Sequence, residues 1–305
     1  MNRGVDYEGY QAAFRPRAKG PIHAVARNAY GWLRRRVLYD TLLFPYAAWH
    51  HRRLLATTDR SQGHTYTGFH RTPAQLEAIC GPVLEHMGVQ PGSSRPLDIL
   101  VFAGSNGAEA FTLASVLRTA LPATPLRIVS TDLHEEMVAR GRQARYSRDE
   151  VLHHAHVTQQ FLESTFDHDA SSFTVKPEIR QLVHFEQANM LESSSGQRFA
   201  PADIVVAQNV FFHLRPPDAE QAFHIVCSCL KPRGALLING MDLELRARLT
   251  AQANLQPLAF NVRRIHDESR SHVSLAWWRY YYGTEPYCGW RRDAIRRYST
   301  IFLQG

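Results

Sequence analysis

Polar residues follow four apolar runs of the sequence, and their types could bind a nucleoside. They are the turn Gly104-Ser-Asn-Gly107 with Glu109, then Asp132, then Asn189, and finally the pair Gln208-Asn209. An acidic residue after a second strand can accept hydrogen bonds from ribose hydroxyls. The turn has Gly-x-x-Gly spacing, so it lacks the G-x-G-x-x-G pattern of a pyrophosphate loop. Each residue taken alone is equally typical of a helix cap or a turn, and the interpretation depends on their order.

A parallel sheet would bring these residues together. Short apolar runs predict five strands, at residues 97–102, 126–131, 182–185, 203–207 and 235–238. Helix-length segments separate them, and the segment Lys231-Pro-Arg-Gly234 predicts a break before the fifth strand. This alternation predicts an α/β fold with helices on both faces of a mostly parallel sheet. In such sheets ligands bind outside the carboxyl ends of the strands.

The composition is that of an ordinary globular protein. The 305 residues are 44% hydrophobic and 21% charged, with a formal net charge of +7. That charge permits an anionic partner, but charge alone describes solubility and non-specific binding, so we expect no nucleic-acid partner. The four cysteines form no CxxC pair, and neither a metal site nor a disulfide framework is expected.

The sequence predicts a cytoplasmic protein without a transmembrane segment. The N-terminus lacks the apolar region of a signal peptide. The longest apolar run, residues 37–49, contains Asp40 and is too short to span a bilayer.

Three regions are predicted along the chain. Residues 1–64 form a basic, helical N-terminal segment, which could lie on a membrane or an acidic partner but which we favour as a lid. Residues 65–265 form the main domain, with a small β-hairpin excursion at about 150–182. Residues 266–305 form an aromatic and basic C-terminal extension, expected to cap the sheet.

The ordered segments of this domain resemble one enzyme family. Residues 65–71, 105–111, 130–132, 185–190 and 207–214 are similar to motifs of the CheR-type chemotaxis receptor methyltransferases. Thr67-Gly-Phe-His-Arg71, for example, falls on the family pattern Thr-x-Phe-Phe-Arg. The matches cover about residues 65–240. The family uses S-adenosylmethionine (SAM), forms S-adenosylhomocysteine (SAH) and methylates glutamate side chains.

The resemblance implies a fold and a cofactor site. The fold would be the Rossmann-like class I methyltransferase fold, with a mostly parallel seven-stranded sheet. The residues that the resemblance implies for the SAM pocket lie either near the ends of predicted strands or in the first motif. They are Thr65, Thr67, Arg71, Gly104, Gly107, Glu109, Asp132, Asn189, Met190, Gln208 and Asn209. Carboxylates suit the ribose hydroxyls and the ammonium of SAM, and arginine suits a carboxylate.

Two histidines depart from the family pattern. His70 stands at the second phenylalanine of the first motif, and His213 stands at an aromatic position after Asn209. We hypothesise that His213, together with His70, faces the methyl acceptor as an orienting group or general base. The alternative is that each ring packs as a polar-tipped aromatic. Arg71 would orient a carboxylate acceptor.

The sequence therefore predicts a SAM-dependent O-methyltransferase that acts on a carboxylate. The family default is a glutamate of a protein partner, which would be an acidic segment. The segment 162–169 of the excursion is acidic, where the receptor enzymes carry an Arg-Gly pair that docks the receptor. The same machinery could instead methylate a small molecule through a carboxylate, hydroxyl or amine. A catalytically silent SAM-binding module is the third possibility, and the sequence does not give the oligomeric state.

Overall fold

The computed structural model describes residues 67–153, 156–192, 201–271 and 287–305, together with residues 45, 46, 49, 53, 196, 198, 199 and 285. Most of the predicted N-terminal segment lies outside the described residues, and so does Thr65 at the start of the predicted main domain. Among the described helices, none is both long and apolar enough to cross a membrane.

A seven-stranded sheet forms the centre of the described chain. Its strand order is β6-β2-β1-β7-β8-β10-β9, and β10 runs antiparallel to both of its neighbours. The strands are β1 (Leu97–Phe102), β2 (Leu126–Asp132), β6 (Val183–Gln187), β7 (Ala202–Gln208), β8 (Leu230–Asn239), β9 (Gln256–Pro257) and β10 (Ile301–Leu303). This mostly parallel sheet confirms the predicted class I methyltransferase fold.

Helices cover both faces of this sheet. Helix α1 (Pro73–Ala78) continues through a π-helical turn, Ile79–Val83, into Leu84–His86. The others are α2 (Ala108–Ala120), α3 (Glu135–Gln143), α4 (Arg148–Leu152), α5 (Gln159–Thr165), α6 (Pro177–Arg180), α7 (Pro216–Ser228), α8 (Leu243–Gln252), α9 (Val262–Ser271) and α10 (Ala294–Tyr298).

The central strand β1 is enclosed on all sides. Two neighbouring strands cover its edges, and two helical layers cover its faces. It pairs with β2 from Leu97↔Leu126 onward and with β7 from Ile99↔Ile204 onward, both in parallel. Since side chains alternate along a strand, Ile99 belongs to one core cluster and Leu100 to the other. This burial explains why the strand is a continuous apolar run rather than an alternating one.

The excursion from the main sheet is a second, smaller sheet. Strands β4 (Phe166–His168) and β5 (Ser172–Val175) form the predicted hairpin. A third strand, β3 (Arg145–Ser147), pairs antiparallel with β5 and begins before the predicted start of the excursion. Three residues with one buried side chain, Tyr146, are too short a run to show a strand periodicity in the sequence.

The C-terminal residues of the predicted extension contribute a strand to the main sheet. β10 lies between β8 and β9, and α10 precedes it. Within this segment Glu285 is joined to α10, because its carboxylate accepts two hydrogen bonds of 2.5 Å from Arg297 and one of 2.6 Å from Tyr298. Arg246 on α8 connects the segment to the main domain by donating to Arg297 O at 2.7 Å. The predicted boundary between the main domain and the extension, at residues 265/266, lies inside α9. It also places β10 in a different region from β8 and β9, the strands with which it pairs.

The segment Lys231-Pro-Arg-Gly234 differs from its prediction as a break. It lies inside β8, where the register with β7 shifts between the pairs at Ala202 and Ile204. Arg233 has a φ of 60°, so the chain absorbs the proline and glycine in a local irregularity and continues as one strand.

A buried aspartate joins the amino-terminal ends of the central strands. Asp203 on β7 accepts the backbone N–H of Asp98 at 2.9 Å and pairs with Lys231 and Arg95, each at 3.0 Å. The Asp203 side chain is only 4% exposed. These partners lie on or next to β1 and β8, so the carboxylate connects three strands at the end opposite Asp132 and Gln208.

We expect Asp203→Ala to lower the free energy of unfolding by about 3 kcal/mol, because it leaves Lys231 half-paired in a partly buried place. Urea denaturation measures this change. The control Asp267→Ala removes an exposed pair with Arg263 at 3.7 Å and should change stability by less than about 0.5 kcal/mol. Equal effects of the two substitutions would contradict the structural role of Asp203.

Candidate functional site

The loop between β1 and α2 makes a sharp turn at the carboxyl end of the central strand. Ala103, Ser105 and Gly107 adopt left-handed conformations, with φ of 52°, 51° and 90°. Gly107 tolerates this φ because it has no Cβ. A Cβ at Gly107 would lie 2.6 Å from the ring of Phe185, and one at Gly104 would lie 2.1 Å from Ser130 Oγ. Both glycines are therefore required by close packing beneath the loop.

Asp132 holds this loop in place from the end of β2. Its Oδ2 accepts the backbone N–H of Ser105 at 2.8 Å, and its Oδ1 accepts the N–H of His134 at 3.0 Å. A carboxylate has about four acceptor sites, so these two bonds leave capacity toward a ligand. The sequence indicated the acidic residue after β2 but gave no sign that it also fixes the loop.

A small cavity lies at the carboxyl ends of β1 and β7. The strand order reverses direction between these two strands, and this crevice is where open α/β sheets bind ligands. The cavity measures about 30 Å³. It brings together residues that are distant in sequence: Gly68, His70, Arg71, Thr72, Gln75, Leu76, Ile79, Glu109, Thr112, Leu113, Gln208 and Asn209.

Glu109 is the half-buried carboxyl of this cavity. Gln208 at the end of β7 donates from Nε2 to Glu109 Oε1 at 2.6 Å. Burial raises the pKa of the Glu109 carboxyl, while the nearby charge of Arg71 and the Gln208 hydrogen bond act in the opposite direction. Its place in the first turn of α2 also favours the ionised form through the helix dipole.

Arg71 reaches the cavity because the residues beside it are anchored. Phe69 is fully buried, and its ring contacts those of Tyr146 and Phe166 at centroid distances of 4.9 and 5.2 Å. On the other side, α1 begins at Pro73, which is favourable in the first turn of a helix. Arg71 is thus fixed between a buried aromatic residue and a helix start.

His70 lines the same cavity with a neutral ring. Its φ is 51° and its backbone N–H donates to Thr112 Oγ1 at 3.2 Å. The imidazole packs on Phe161 at a centroid distance of 4.9 Å. Burial lowers the pKa of His70, although a hydrogen bond to the backbone of His156 and the charge of Glu268 act to raise it.

His213 does not line this cavity. It ends the 3₁₀ turn Phe211–His213, and its half-buried ring lies 4.1 Å from the ring of Phe212. Its role as an orienting group or base stays a prediction.

The remaining predicted residues are spread along the edge of the sheet. Asn189 Oδ1 accepts the N–H of Leu191 at 3.0 Å, and the neighbouring Met190 is buried. Asn209 has a φ of 56° and donates its N–H to Asn239 O at 2.9 Å. Thr67 is half-buried and is not part of the cavity lining. The assignment of these residues to a cofactor stays a prediction.

Sequence reasoning missed several residues around the cavity. Thr112 and Leu113 follow Glu109 by three and four positions on α2, so helical spacing could have placed them on the same face. Gln75 was not foreseeable, because it donates to Thr300 Oγ1 at 2.9 Å, from α1 to the residue before β10. That contact depends on tertiary structure.

Comparison with known proteins identifies a family. The family model described as "CheR methyltransferase, SAM binding domain" matches residues 65–250, more than half of the chain. An uncharacterized 104.1 kDa protein of Rhodobacter capsulatus is 26% identical over 63% of this chain and 20% of its own length.

Two Pseudomonas aeruginosa proteins also match. One bears the name "Probable biofilm formation methyltransferase WspC" and is 23% identical over 67% of this chain and 48% of its own length. The other, "Chemotaxis protein methyltransferase 2", is 29% identical over 46% of this chain and 51% of its own length. The chain therefore spans between a fifth and about half of the length of these relatives. With the sheet and the cavity described above, the match over residues 65–250 shows that the chain belongs to the CheR family of SAM-dependent methyltransferases.

Proposed function

We propose that this chain transfers a methyl group from SAM to a carboxylate oxygen, by default a glutamate side chain of a protein partner. The observation that carries the proposal is the pair Arg71 and Glu109 in one cavity at the reversal of the strand order. The amino-acid end of SAM carries a carboxylate and an ammonium, which match an arginine and a glutamate in charge. The residues present therefore fit this cofactor.

Arg71 would bind the SAM carboxylate and Glu109 the ammonium, while Gln208 fixes the rotamer of Glu109. Asp132 would accept hydrogen bonds from the ribose hydroxyls with the lone pairs that Ser105 and His134 leave available. The adenine would lie toward Asn189 and Met190 at the end of β6, with the glycine loop passing close to the nucleoside.

Positioning would supply most of the acceleration. When bound, SAM would supply an electrophilic methyl group for transfer to the acceptor oxygen. The protein aligns the acceptor with that methyl and excludes water. A carboxylate acceptor is ionised near pH 7, so the chain needs no general base for this reaction.

The name of one relative, "Chemotaxis protein methyltransferase 2", supports a protein acceptor. The alternative acceptor is a small molecule with a carboxylate, hydroxyl or amine, and a labelling experiment separates the two.

Methyl-labelled SAM and a lysate fractionated into proteins and small molecules identify the acceptor class. We expect label on protein, released as methanol by mild alkali, because carboxyl methyl esters hydrolyse readily. Label only in the small-molecule fraction would replace the protein acceptor by a metabolite. Alkali-stable label on protein would contradict a carboxylate acceptor. Glu109→Gln serves as a control that should incorporate less label when SAM is well below saturation.

Glu109→Gln should weaken SAM and SAH binding by about tenfold or more, because a charged hydrogen bond to the ammonium contributes about 1.5–3 kcal/mol. Isothermal titration calorimetry measures both affinities. Glutamine retains an oxygen that can accept the Gln208 hydrogen bond, so the change removes charge with little change of shape. Unchanged affinity would exclude the ammonium contact.

The same substitution should stabilise the ligand-free protein near neutral pH. Burial raises the pKa of Glu109 in the folded state, so the folded protein is favoured when this carboxyl is protonated. That contribution is complete below the unfolded pKa and is lost as pH rises through the folded pKa. We expect Glu109→Gln to raise Tm by about 2 °C at pH 7.5, with a smaller gain at pH 5. A pH-independent gain would point to packing instead.

A further inference from the structure

Helix α1 forms one wall of the cavity and begins two residues after Arg71. Its side chains Gln75 and Leu76 line the cavity together with Arg71 and Thr72. The chain enters the helix directly from these two residues, so the place of the first turn of α1 determines where the Arg71 side chain can reach. A contact that fixes this turn therefore also fixes the guanidinium in the cavity.

The first turn of α1 has no cap of its own. Thr72 is at the N-cap position, but its side chain makes no capping hydrogen bond, and no acidic residue lies in the turn. The first N–H groups of a helix have no partner inside the helix. Pro73 has no N–H, and Gln75 donates its N–H to Thr72 O at 3.0 Å. The N–H of the fully buried Ala74 is left to be satisfied from elsewhere.

A carboxylate 194 residues later in the chain satisfies this group. Glu268 on α9 accepts the Ala74 N–H through Oε2 at 2.9 Å, and its side chain is 15% exposed. Its other oxygen, Oε1, accepts a hydrogen bond of 2.9 Å from Arg264 Nε. The Arg264 guanidinium also donates to both oxygens of Glu77 on α1, at 2.8 and 2.9 Å. Since that second pair is exposed and such pairs contribute little, Glu268 makes the main contact between α9 and α1.

The same turn of α9 is attached to the opposite wall of the cavity. Ser269 follows Glu268, and its Oγ accepts a hydrogen bond of 3.1 Å from Asn239 Nδ2 at the end of β8. The backbone O of Asn239 in turn accepts the N–H of Asn209, which lines the cavity, at 2.9 Å. Helix α9 therefore joins the start of α1 to the ends of β7 and β8.

We propose that Glu268 is a positioning residue for SAM, because it fixes the first turn of α1 and so holds Arg71 at the carboxylate of the cofactor. This rests on the proposed function, in which Arg71 binds that carboxylate. Glu268 itself does not line the cavity, so its effect reaches the ligand through Arg71. Without Glu268 the Ala74 N–H would be buried and unpaired, which is costly enough to move the turn toward another acceptor. Small displacements of a positioned group cause large losses of function.

Substitutions on α9 separate this contact from general damage to the helix. Glu268→Ala removes the acceptor of the Ala74 N–H, whereas Glu268→Gln retains an oxygen at the same reach. The matched control Asp267→Ala removes the adjacent carboxylate, which forms an exposed pair with Arg263 at 3.7 Å. Circular dichroism establishes that each variant is folded. If Glu268→Ala does not fold, Glu268→Asp takes its place, because its carboxylate is one methylene short of the Ala74 N–H.

Isothermal titration calorimetry with SAH measures the effect. We expect Glu268→Ala to weaken SAH binding about tenfold, because Arg71 is displaced from the ligand carboxylate. Glu268→Gln should remain within about threefold of the wild type, since only the charge is lost, and Asp267→Ala should match the wild type.

A double-mutant cycle with Arg71→Gln tests the route of the effect. Residues that act through one another have non-additive effects. Once the guanidinium is absent, Glu268→Ala should therefore weaken SAH binding by less than about twofold. General damage to the fold would instead lower the affinity by the same factor with and without Arg71.

Unchanged SAH affinity in Glu268→Ala would overturn the proposal, and so would an equal loss in the presence and absence of Arg71. A loss in Glu268→Gln as large as that in Glu268→Ala would also overturn it, because the hydrogen bond to Ala74 would then not be the cause. Each of these results leaves the proposed function in place. Failure of the wild-type protein to bind SAH is a different result, which would remove the proposed function and this inference together.

Discussion

The hydrogen bond between Gln208 and Glu109 connects the two sides of the crevice at the centre of this fold. It joins the end of β7 to the first turn of α2 over 2.6 Å, across the point where the strand order reverses. The bond is made in a place where burial opposes the ionised carboxyl, and the charge of Arg71 offsets part of that cost. Because Arg71 and Gln208 act against the cost of burying the Glu109 carboxyl, the polar groups of the site are arranged before a ligand binds. Preorganised charges of this kind are what a positioning enzyme requires.

The same aromatic cluster supports two walls of the cavity. Phe69, Tyr146 and Phe166 meet edge to face, and they join the first motif to the small sheet. Tyr146 also donates its hydroxyl to Asn106 O at 2.6 Å, in the loop after β1. The small sheet therefore acts as a support for the site as well as an excursion from the main sheet. Its contacts explain why a short segment with one buried tyrosine matters to the geometry of Arg71.

Residues at strand ends were accessible from the sequence because parallel strands end at one edge of a sheet. Glu109, Gln208 and Asn209 meet for that reason. Other features depend on contacts that no local pattern encodes. Neither the left-handed conformation of His70 nor the strand β10 has a signature in residue spacing. The irregularity at Arg233 was predicted as a break because proline and glycine usually end a strand, but pairing with β7 overrides that preference.

The position of β10 determines when the sheet can be completed during synthesis. During synthesis β8 and β9 leave the ribosome well before residues 301–303, yet β10 lies between them. Until those residues emerge, the outer edge of β8 has unpaired backbone groups next to a strongly apolar strand. Exposed edges of this kind favour pairing with other chains. The nascent protein therefore depends on residues 301–303 to complete the sheet. A chain that ends before Ile301 would leave the outer edge of β8 unpaired and prone to aggregation.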